Sequence, residues 1–462
     1  MAGASAVPAR SKQPPVAGAR QPNILFILAD DLGFADLSCY GRRDYRTPAL
    51  DRLADQGLRF TQAYANSAVC SATRTALMTG RYQNRLPVGL EEPLARRQLG
   101  LPPDHPTLPS LLRKIGYTTM LIGKWHLGAL PDYGPLKSGY DHFWGFRGGG
   151  VDYFSHKMGS TPDIWDDTHA ITEEGYLTDL LAEKAMAAVN HFAGRQQPFL
   201  LSLHFNAPHW PWEGPDDQAE SVRLDESGKP LALHHYDGGS AKIYASMVTR
   251  MDYQIGRILD QLDDLGIADD TIIVFTSDNG GERFSDTWPF TGRKTELLEG
   301  GLRIPAIIRW PGEIAAGGTS DQVMITMDWL PTLIAAAGGA PAPSYPSDGE
   351  NLLPILHNPH VTHERTLAWR YLNLNQEACR KGDWKYLKIL DNSFLFNVVA
   401  DPLERANMKE RMPEKFAELV AEYRAWDSRM LPLDYEAGTS GFTGANVADH
   451  FGVSEARTVK TP

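Results

Sequence analysis

Cysteine is scarce in this chain: Cys39, Cys70 and Cys379 are the only three. An odd, small number in a long chain excludes a disulfide-stapled secreted scaffold and leaves at least one thiol unpaired. Long apolar runs are missing as well. No stretch of 18 apolar residues occurs, so no membrane-spanning helix is expected. The first 21 residues, MAGASAVPARSKQPPVAGARQ, lack the apolar core of a secretory signal. They read as a flexible lead (1–21), and the expected location is cytoplasmic. A surplus of positive charge is the third absence. With 45 Lys and Arg against 57 Asp and Glu, the formal net charge is −12, which argues against nucleic acid or an anionic membrane as partner. An anionic substrate would have to be held by a local cluster of cations. There is also no internal repeat.

What is present is enough to build a large core. Over 462 residues, 42% are hydrophobic, which predicts one large domain with a smaller one appended. Four short apolar runs read as strands buried on both faces, as in a parallel sheet covered by helices. Their endings carry the chemistry. Asn23 to Ala29 delivers Asp30 and Asp31, and Thr271 to Thr276 delivers Asp278 and Asn279. Phe199 to Phe205 delivers Asn206 and His209, and Tyr117 to Ile122 leads through Gly123 into Lys124 and His126. In open α/β sheets ligands bind outside the carboxyl ends of the strands, so parallel neighbours would bring these four endings to one rim. Helical spacing at 48–56, 108–115, 177–192 and 241–265 completes a strand–helix alternation. The predicted class is α/β, a large, mostly parallel mixed sheet flanked by helices.

After about residue 340 a Pro/Gly/Ser-rich stretch gives way to short alternating segments at 366–372, 384–389 and 394–398, followed by a helical pattern at 413–430. The expected organisation is therefore a catalytic α/β domain at 22–340, a smaller antiparallel sheet plus helix at 341–431, and a tail or arm at 432–462.

The segment CSATRTALMTGRY, 70–82, reads as a helix that begins at Cys70 and stops at Gly80. Cys70 would then sit where backbone N–H groups and the helix dipole favour an anion, with Arg74 one turn on and on the same side. A lone cysteine otherwise reads as a small buried hydrophobe. The carboxylates Asp30, Asp31 and Asp278, together with Asn279, make an oxygen-only set that suits a hard cation such as Ca2+ or Mg2+ rather than zinc. Taken singly, adjacent Asp residues also serve as turn and cap residues.

Cys-Ser-Ala-Thr-Arg followed by Thr-Gly-Arg resembles the signature of the type I sulfatases, members of the alkaline phosphatase superfamily. There a cysteine in a Cys-x-Pro-x-Arg frame is oxidised to formylglycine. Other landmarks of that family stand in order: PNILFILADD, GKWHLG, NAPHWPW, TSDNGG, TGRKTELLEGGLRIP and, farther on, RKGDWKYLK and LFNVVADPLERAN. One departure is Ala72, which stands where the family has proline.

The resemblance implies hydrolysis of sulfate monoesters, whether aryl, alkyl or carbohydrate, with Cys70 converted to formylglycine as nucleophile and Ca2+ as the metal, Mg2+ or Mn2+ left open. Asp30, Asp31, Asp278, Asn279 and the converted Cys70 would surround the metal. Arg74, Lys124 and Lys294 would counter sulfate charge, His209 and Lys294 would protonate the leaving oxygen, and His126 would take the proton that lets sulfate depart. A sulfated small molecule or saccharide and a formylglycine-generating maturation enzyme are the implied partners. Rival readings are a phosphate or phosphonate ester hydrolase of the same superfamily, a non-catalytic sulfatase-like binding protein, and a hydrolase that uses the Cys70 thiolate directly. Substrate choice falls to the loops 83–105 and 146–169. The second carries Tyr153, Phe154, His156 and Trp165, either as pocket walls or as packing.

Overall fold

The structure is a computed structural model that describes residues 21–90, 92, 98–195, 197–228 and 238–439. The N-terminal lead, apart from Gln21, and the tail beyond residue 439 lie outside the described residues. Ten strands make the main sheet: β1 (Asn23–Ala29), β2 (Leu58–Phe60), β3 (Thr118–Lys124), β4 (His142–Phe146), β5 (Trp165–Asp166), β6 (His169–Ala170), β7 (Phe199–His204), β8 (Thr271–Ser277), β9 (Ala306–Arg309) and β10 (Gly318–Ser320). Across the sheet they run β10-β2-β9-β8-β1-β7-β3-β4-β5-β6. The centre, β8-β1-β7-β3-β4, is parallel, while β9 pairs antiparallel to both β8 and β2. The predicted mixed, mostly parallel sheet is the one observed.

Successive residues of a strand face opposite sides, and β1 shows how both sides are filled. Leu25, Ile27 and Ala29 pack with α1 (Pro48–Asp55), α4 (Leu177–Ala193) and α5 (Ala241–Asp264). Ile24, Phe26 and Leu28 pack with α2 (Cys70–Thr79), α3 (Leu108–Lys114) and α6 (Trp329–Ala336). A strand buried on both faces has no reason to alternate polar and apolar residues, hence the unbroken NILFILA.

Residues Leu352, Ile355 and Leu356 still belong to the second of these clusters. The chain crosses to the small sheet only at β11 (Thr366–Tyr371), which continues through β12 (Gln376–Lys381), β13 (Trp384–Ile389) and β14 (Asn392–Asn397) as an antiparallel meander. The helix α7 (Pro413–Asp427) covers it through Leu419, Tyr423 and Trp426. The same cluster takes in Val69, Ala72 and Ala76 at the start of α2, and Trp369 Nε1 donates to the Ala65 carbonyl at 2.9 Å. A fully buried charge chain fastens the two parts. Lys385 lies 2.9 Å from Glu299 and 3.0 Å from Glu404, and Arg303 pairs with Glu299 at 2.7 Å. Burial works against the charge on Glu299, yet Lys385, Arg303 and Arg380 together hold its carboxyl well below the usual range.

Candidate active site

The four central strands end level with one another, since Leu28 pairs with His204, Ala29 with Ser277 and His204 with Gly123. Their next residues therefore share one rim, as their spacing predicts. Asp30 and Asp31 follow β1, Asp278 and Asn279 follow β8, Lys124 closes β3 with His126 just beyond, and Asn206 and His209 follow β7. All are buried. Asp31 and His126 hold left-handed backbone angles, φ 63° and 57°, a conformation that costs an L-residue about 1–2 kcal/mol and so marks places where aiming a side chain outweighs local comfort.

Helix α2 starts at Cys70 as expected and ends at Gly80, whose left-handed φ of 66° is the usual helix stop. Its N-cap is Val69, which gives the helix no side-chain cap. The N–H groups and dipole of the first turn are thereby left to an anion rather than to a serine or aspartate. Cys70 Sγ lies 3.8 Å from Asp31 Oδ1, and Arg74 reaches Asp278 Oδ2 at 2.9 Å. Burial pushes the Cys70 thiol well above its ordinary value, although Lys124 and Lys294 pull it the other way. A buried thiol so shifted is a poor thiolate, which weighs against direct attack by sulfur.

Cations and carboxylates interleave through the crevice. Lys124 Nζ is 2.6 Å from Asp30 Oδ2 and Lys294 Nζ is 2.6 Å from Asp31 Oδ2. Burial opposes the charge on Lys294, but Asp31 and Cys70 beside it hold its ammonium well above the usual value. Burial likewise lifts the Asp30 carboxyl, with Lys124 opposing and Asp278 reinforcing the shift. His209 donates its Nδ1–H to the Trp210 carbonyl at 2.6 Å, so Nε2 is the atom that faces Asp31 Oδ2, at 3.5 Å. Both ring nitrogens of His126 are buried without a protein partner. Burial, with nearby lysines, lowers the tendency of both histidines to protonate.

The donor set fits a hard cation. Asp30 Oδ1 and Asn279 Oδ1 are buried oxygens with no hydrogen-bond partner, and several carboxylates crowd one buried crevice. The donor atoms that lie within 4.8 Å of one another belong to Asp30, Asp31, Cys70 and His209. Asp278 and Asn279 stand against this group: Asp278 Oδ1 accepts from the Asp31 N–H at 3.2 Å and Asn279 Nδ2 donates to Asp31 Oδ1 at 2.7 Å. The sequence reading brings His209 to this rim with the carboxylates but does not count it among the metal donors, where its ring nitrogen also lies.

Other participants were missed. His204 Nδ1 sits 3.2 Å from the Lys124 carbonyl, which also accepts from Arg74 Nη1 at 3.1 Å, so the ring braces the end of β3 beside Arg74. Gly149 and Gly150 run against the rings of His126 and His209: a Cβ at Gly149 would stand 2.8 Å from His126 Cε1, and one at Gly150 would stand 3.0 Å from His209 Cε1. The Gly-Gly-Gly run at 148–150 was the available signal. Of the aromatic loop residues, Tyr153 is fully buried, stacks on Tyr176 and donates its hydroxyl to the Asn206 or His209 carbonyl, both 3.0 Å away. Trp165 donates to Asp163 at 2.7 Å under the guanidinium of Arg147, and His156 is bonded to the Gly175 carbonyl. These three pack the loop onto the sheet rather than wall a pocket.

A family model described as Sulfatase matches residues 22–340. The chain belongs to the sulfatase family. N-acetylgalactosamine-6-sulfatase of Rattus norvegicus is 34% identical to this sulfatase over 381 residues, 77% of this chain and 69% of that protein. Arylsulfatase A of Homo sapiens is 34% identical over 416 residues, covering 84% and 78%. Among solved structures, Ps i-CgsB in complex with k-i-k-neocarrahexaose superposes with a TM-score of 0.80 at 29% identity, over 91% of this chain and 95% of that one. The sulfatase is thus a sulfuric ester hydrolase.

Proposed function

We propose that this sulfatase hydrolyses sulfate monoesters of saccharides with Cys70 converted to formylglycine and a divalent cation, Ca2+ first among them, held by Asp30, Asp31, Asp278 and Asn279. The observation that carries the reading is the convergence at Cys70: an uncapped helix start, a partnerless carboxylate oxygen and three buried cations meet within one crevice. The hydrated aldehyde at position 70 supplies the oxygen that attacks sulfur. The cation supplies positive charge against the reacting oxygens. Arg74, Lys124 and Lys294 orient the sulfate and balance its charge, in a dry site where fixed charges act strongly. A protein of net charge −12 can hold an anion there because salt screens its distant surface carboxylates beyond ~8 Å.

As the sulfur–ester oxygen bond breaks, the Lys294 ammonium is placed to give a proton to the leaving alcohol, and the bare Nε2 of His209 is placed to take up a proton first and pass it on. His126, its ring nitrogens free of protein partners, accepts the proton whose loss lets sulfate depart. The saccharide preference draws on relatives named for an amino sugar sulfate and on the neocarrahexaose complex. A formylglycine-generating enzyme is the partner required before any turnover.

Mass spectrometry of the Cys70 tryptic peptide tests the nucleophile. The active enzyme is expected to give a peptide about 18 Da lighter than the thiol form, the change from thiol to aldehyde. Full turnover by a protein whose Cys70 remains an unmodified thiol refutes it, and activity that survives exhaustive chelation refutes the cation. Side-by-side rates on aryl sulfate, phosphate and phosphonate complete the test.

A further inference from the structure

Two carboxyl side chains outside the reactive crevice, Asp152 and Glu213, are 1% and 0% exposed. One oxygen of each is already engaged. Asp152 Oδ1 accepts from the Phe154 and Ser155 N–H groups at 3.0 and 2.7 Å and from Ser221 Oγ at 2.7 Å. Glu213 Oε2 accepts from the Tyr153 N–H at 3.2 Å. The other two oxygens, Asp152 Oδ2 and Glu213 Oε1, are buried and accept from no N–H or hydroxyl of the protein. Two carboxylates so placed would repel each other and forgo solvation, which is costly in an interior. One proton held between them relieves both penalties, since a protonated carboxyl donates where a carboxylate accepts. The two side chains lie within hydrogen-bonding reach, and burial first, then Asp152, pushes the Glu213 carboxyl up to about 10, with Asp217 adding to the push. Among the described residues no third ligating group joins the pair, so a proton rather than a metal ion is what they share.

The pair joins two segments that govern the rings of the crevice. Asp152 belongs to the loop after β4, in which Gly149 lies against His126 and Gly150 against His209: a Cβ there would stand 2.8 and 3.0 Å from the respective Cε1 atoms. Glu213 closes the segment after β7 that carries His209. Tyr153 reinforces the join, its hydroxyl 3.0 Å from both the Asn206 and His209 carbonyls, and Tyr176 donates to the Glu213 carbonyl at 2.8 Å. His126 has no protein hydrogen bond on either ring nitrogen, so packing against Gly149 is what limits its movement. The position of the 148–153 loop therefore decides how much room that ring has.

We propose that Asp152 and Glu213 are a proton-sharing positioning pair, which ties the 148–153 loop to the His209 segment and so keeps the His126 and His209 rings in place for proton transfer. The assignment rests on the sulfatase reading above for what the rings do, and on the geometry alone for how they are held.

The full-length enzyme is to be compared as wild type, Glu213→Gln and Glu213→Ala on 4-nitrophenyl sulfate. Glutamine keeps an oxygen for the Tyr153 N–H and brings a permanent N–H donor towards Asp152, whereas alanine offers neither. In Glu213→Ala kcat is expected to fall roughly 10- to 100-fold with KM nearly unchanged, the cost of displacing a catalytic group by up to about 1 Å. Glu213→Gln is expected to keep most of the wild-type kcat. A folded Glu213→Ala with wild-type kcat overturns the pair, and so does a Glu213→Gln as slow as the alanine variant. Infrared difference spectra between wild type and Glu213→Gln at about pH 8 are expected to show the carbonyl band of a protonated carboxylic acid, which a glutamate with the ordinary pKa of about 4.3 would not give; its absence overturns the shared proton. The imidazole NMR resonances of His126 and His209 are expected to shift in Glu213→Ala and to stay in place in Glu213→Gln, and resonances unmoved in both overturn the positioning role. Should wild type turn over no sulfate ester, the sulfatase reading fails, while the infrared and imidazole spectra still judge the pair. If the alanine variant does not fold, Glu213→Met, which fills the space without a polar group, replaces it in every measurement.

Discussion

Gly149 offers a direct way to move one catalytic ring without touching it. A methyl group there would lie 2.8 Å from His126 Cε1 and 2.9 Å from Nε2, against an ordinary carbon contact of about 3.5–4.0 Å. The backbone at this position is outside the left-handed region, so alanine fits the chain and the conflict falls on the ring. No hydrogen bond anchors either nitrogen of His126, and the ring is therefore the part that yields, by about 0.5–1 Å. Misplacing a catalytic group by about 1 Å costs up to roughly 100-fold in rate. In Gly149→Ala, kcat on an aryl sulfate is expected to fall about 30- to 100-fold, or roughly 2–3 kcal/mol of barrier, with KM nearly unchanged. Gly150→Ala is the graded companion. Its methyl would meet His209 at 3.0–3.1 Å, a milder conflict expected to cost only about 3- to 10-fold. Steady-state kinetics and thermal melts of both variants decide the matter. Wild-type kcat in Gly149→Ala, or a greater loss in Gly150→Ala, refutes the placement of these rings; so does a loss explained by unfolding at the assay temperature.

Three further outcomes follow from features away from the crevice. Glu213 is fully enclosed, and burial, with Asp152 beside it, pushes its carboxyl up to about 10. Because the folded value lies above the unfolded one, the stability this group contributes is complete below about pH 4.5 and declines as pH rises towards 10, by at most about 1.4 kcal/mol per unit. Between pH 5 and 8, urea titrations of Glu213→Gln are expected to show a decline about 2–4 kcal/mol smaller than wild type, and identical slopes would rule the effect out. Lys385→Met strands Glu299 and Glu404 without their shared cation, for a loss of about 3–5 kcal/mol; a change under 1 kcal/mol in equilibrium unfolding would contradict the pairing. Gly194 caps α4 at φ −74°, and a Cβ there meets nothing within 4 Å. Gly194→Ala is expected to stabilise by about 0.4–1 kcal/mol, read from the same titrations.

The reactive crevice was legible from the chain because its groups sit at fixed offsets from strand ends. Strands buried on both faces announce themselves as apolar runs, and the polar residues that follow each run must emerge at the same rim if the strands are parallel neighbours. Cys70 and Arg74 were readable through helical spacing and the Gly80 stop. What escaped has a common cause. His204 acquires its place from residues far off in sequence, a meeting that no local pattern records, and Gly149 was signalled only by the Gly-Gly-Gly run at 148–150. Strand β12 shows the same limit. Its sequence QEACRK has no apolar alternation, because Arg380 is buried to grip Tyr64 and Gln62 on the catalytic body. A buried arginine reads as a surface residue until its partners are known. The short outer strands β2, β9 and β10 were equally silent, having too few residues to display a period.

The packing of β11 against the start of α2 also sets a timetable for synthesis. Trp369 and Ala65, joined by a hydrogen bond, lie 304 positions apart. At roughly 5–20 residues per second, the later partner leaves the ribosome about 15–60 s after the earlier one. During that interval Val69, Ala72 and Ala76 have no C-terminal sheet to lie under, and the stretch that carries Cys70 stays open to a modifying enzyme. Once β11 docks, Val69, Ala72 and Ala76 around Cys70 are packed under the C-terminal sheet. A nascent chain stalled before residue 366 should remain a substrate for conversion, while the finished, unconverted protein should not.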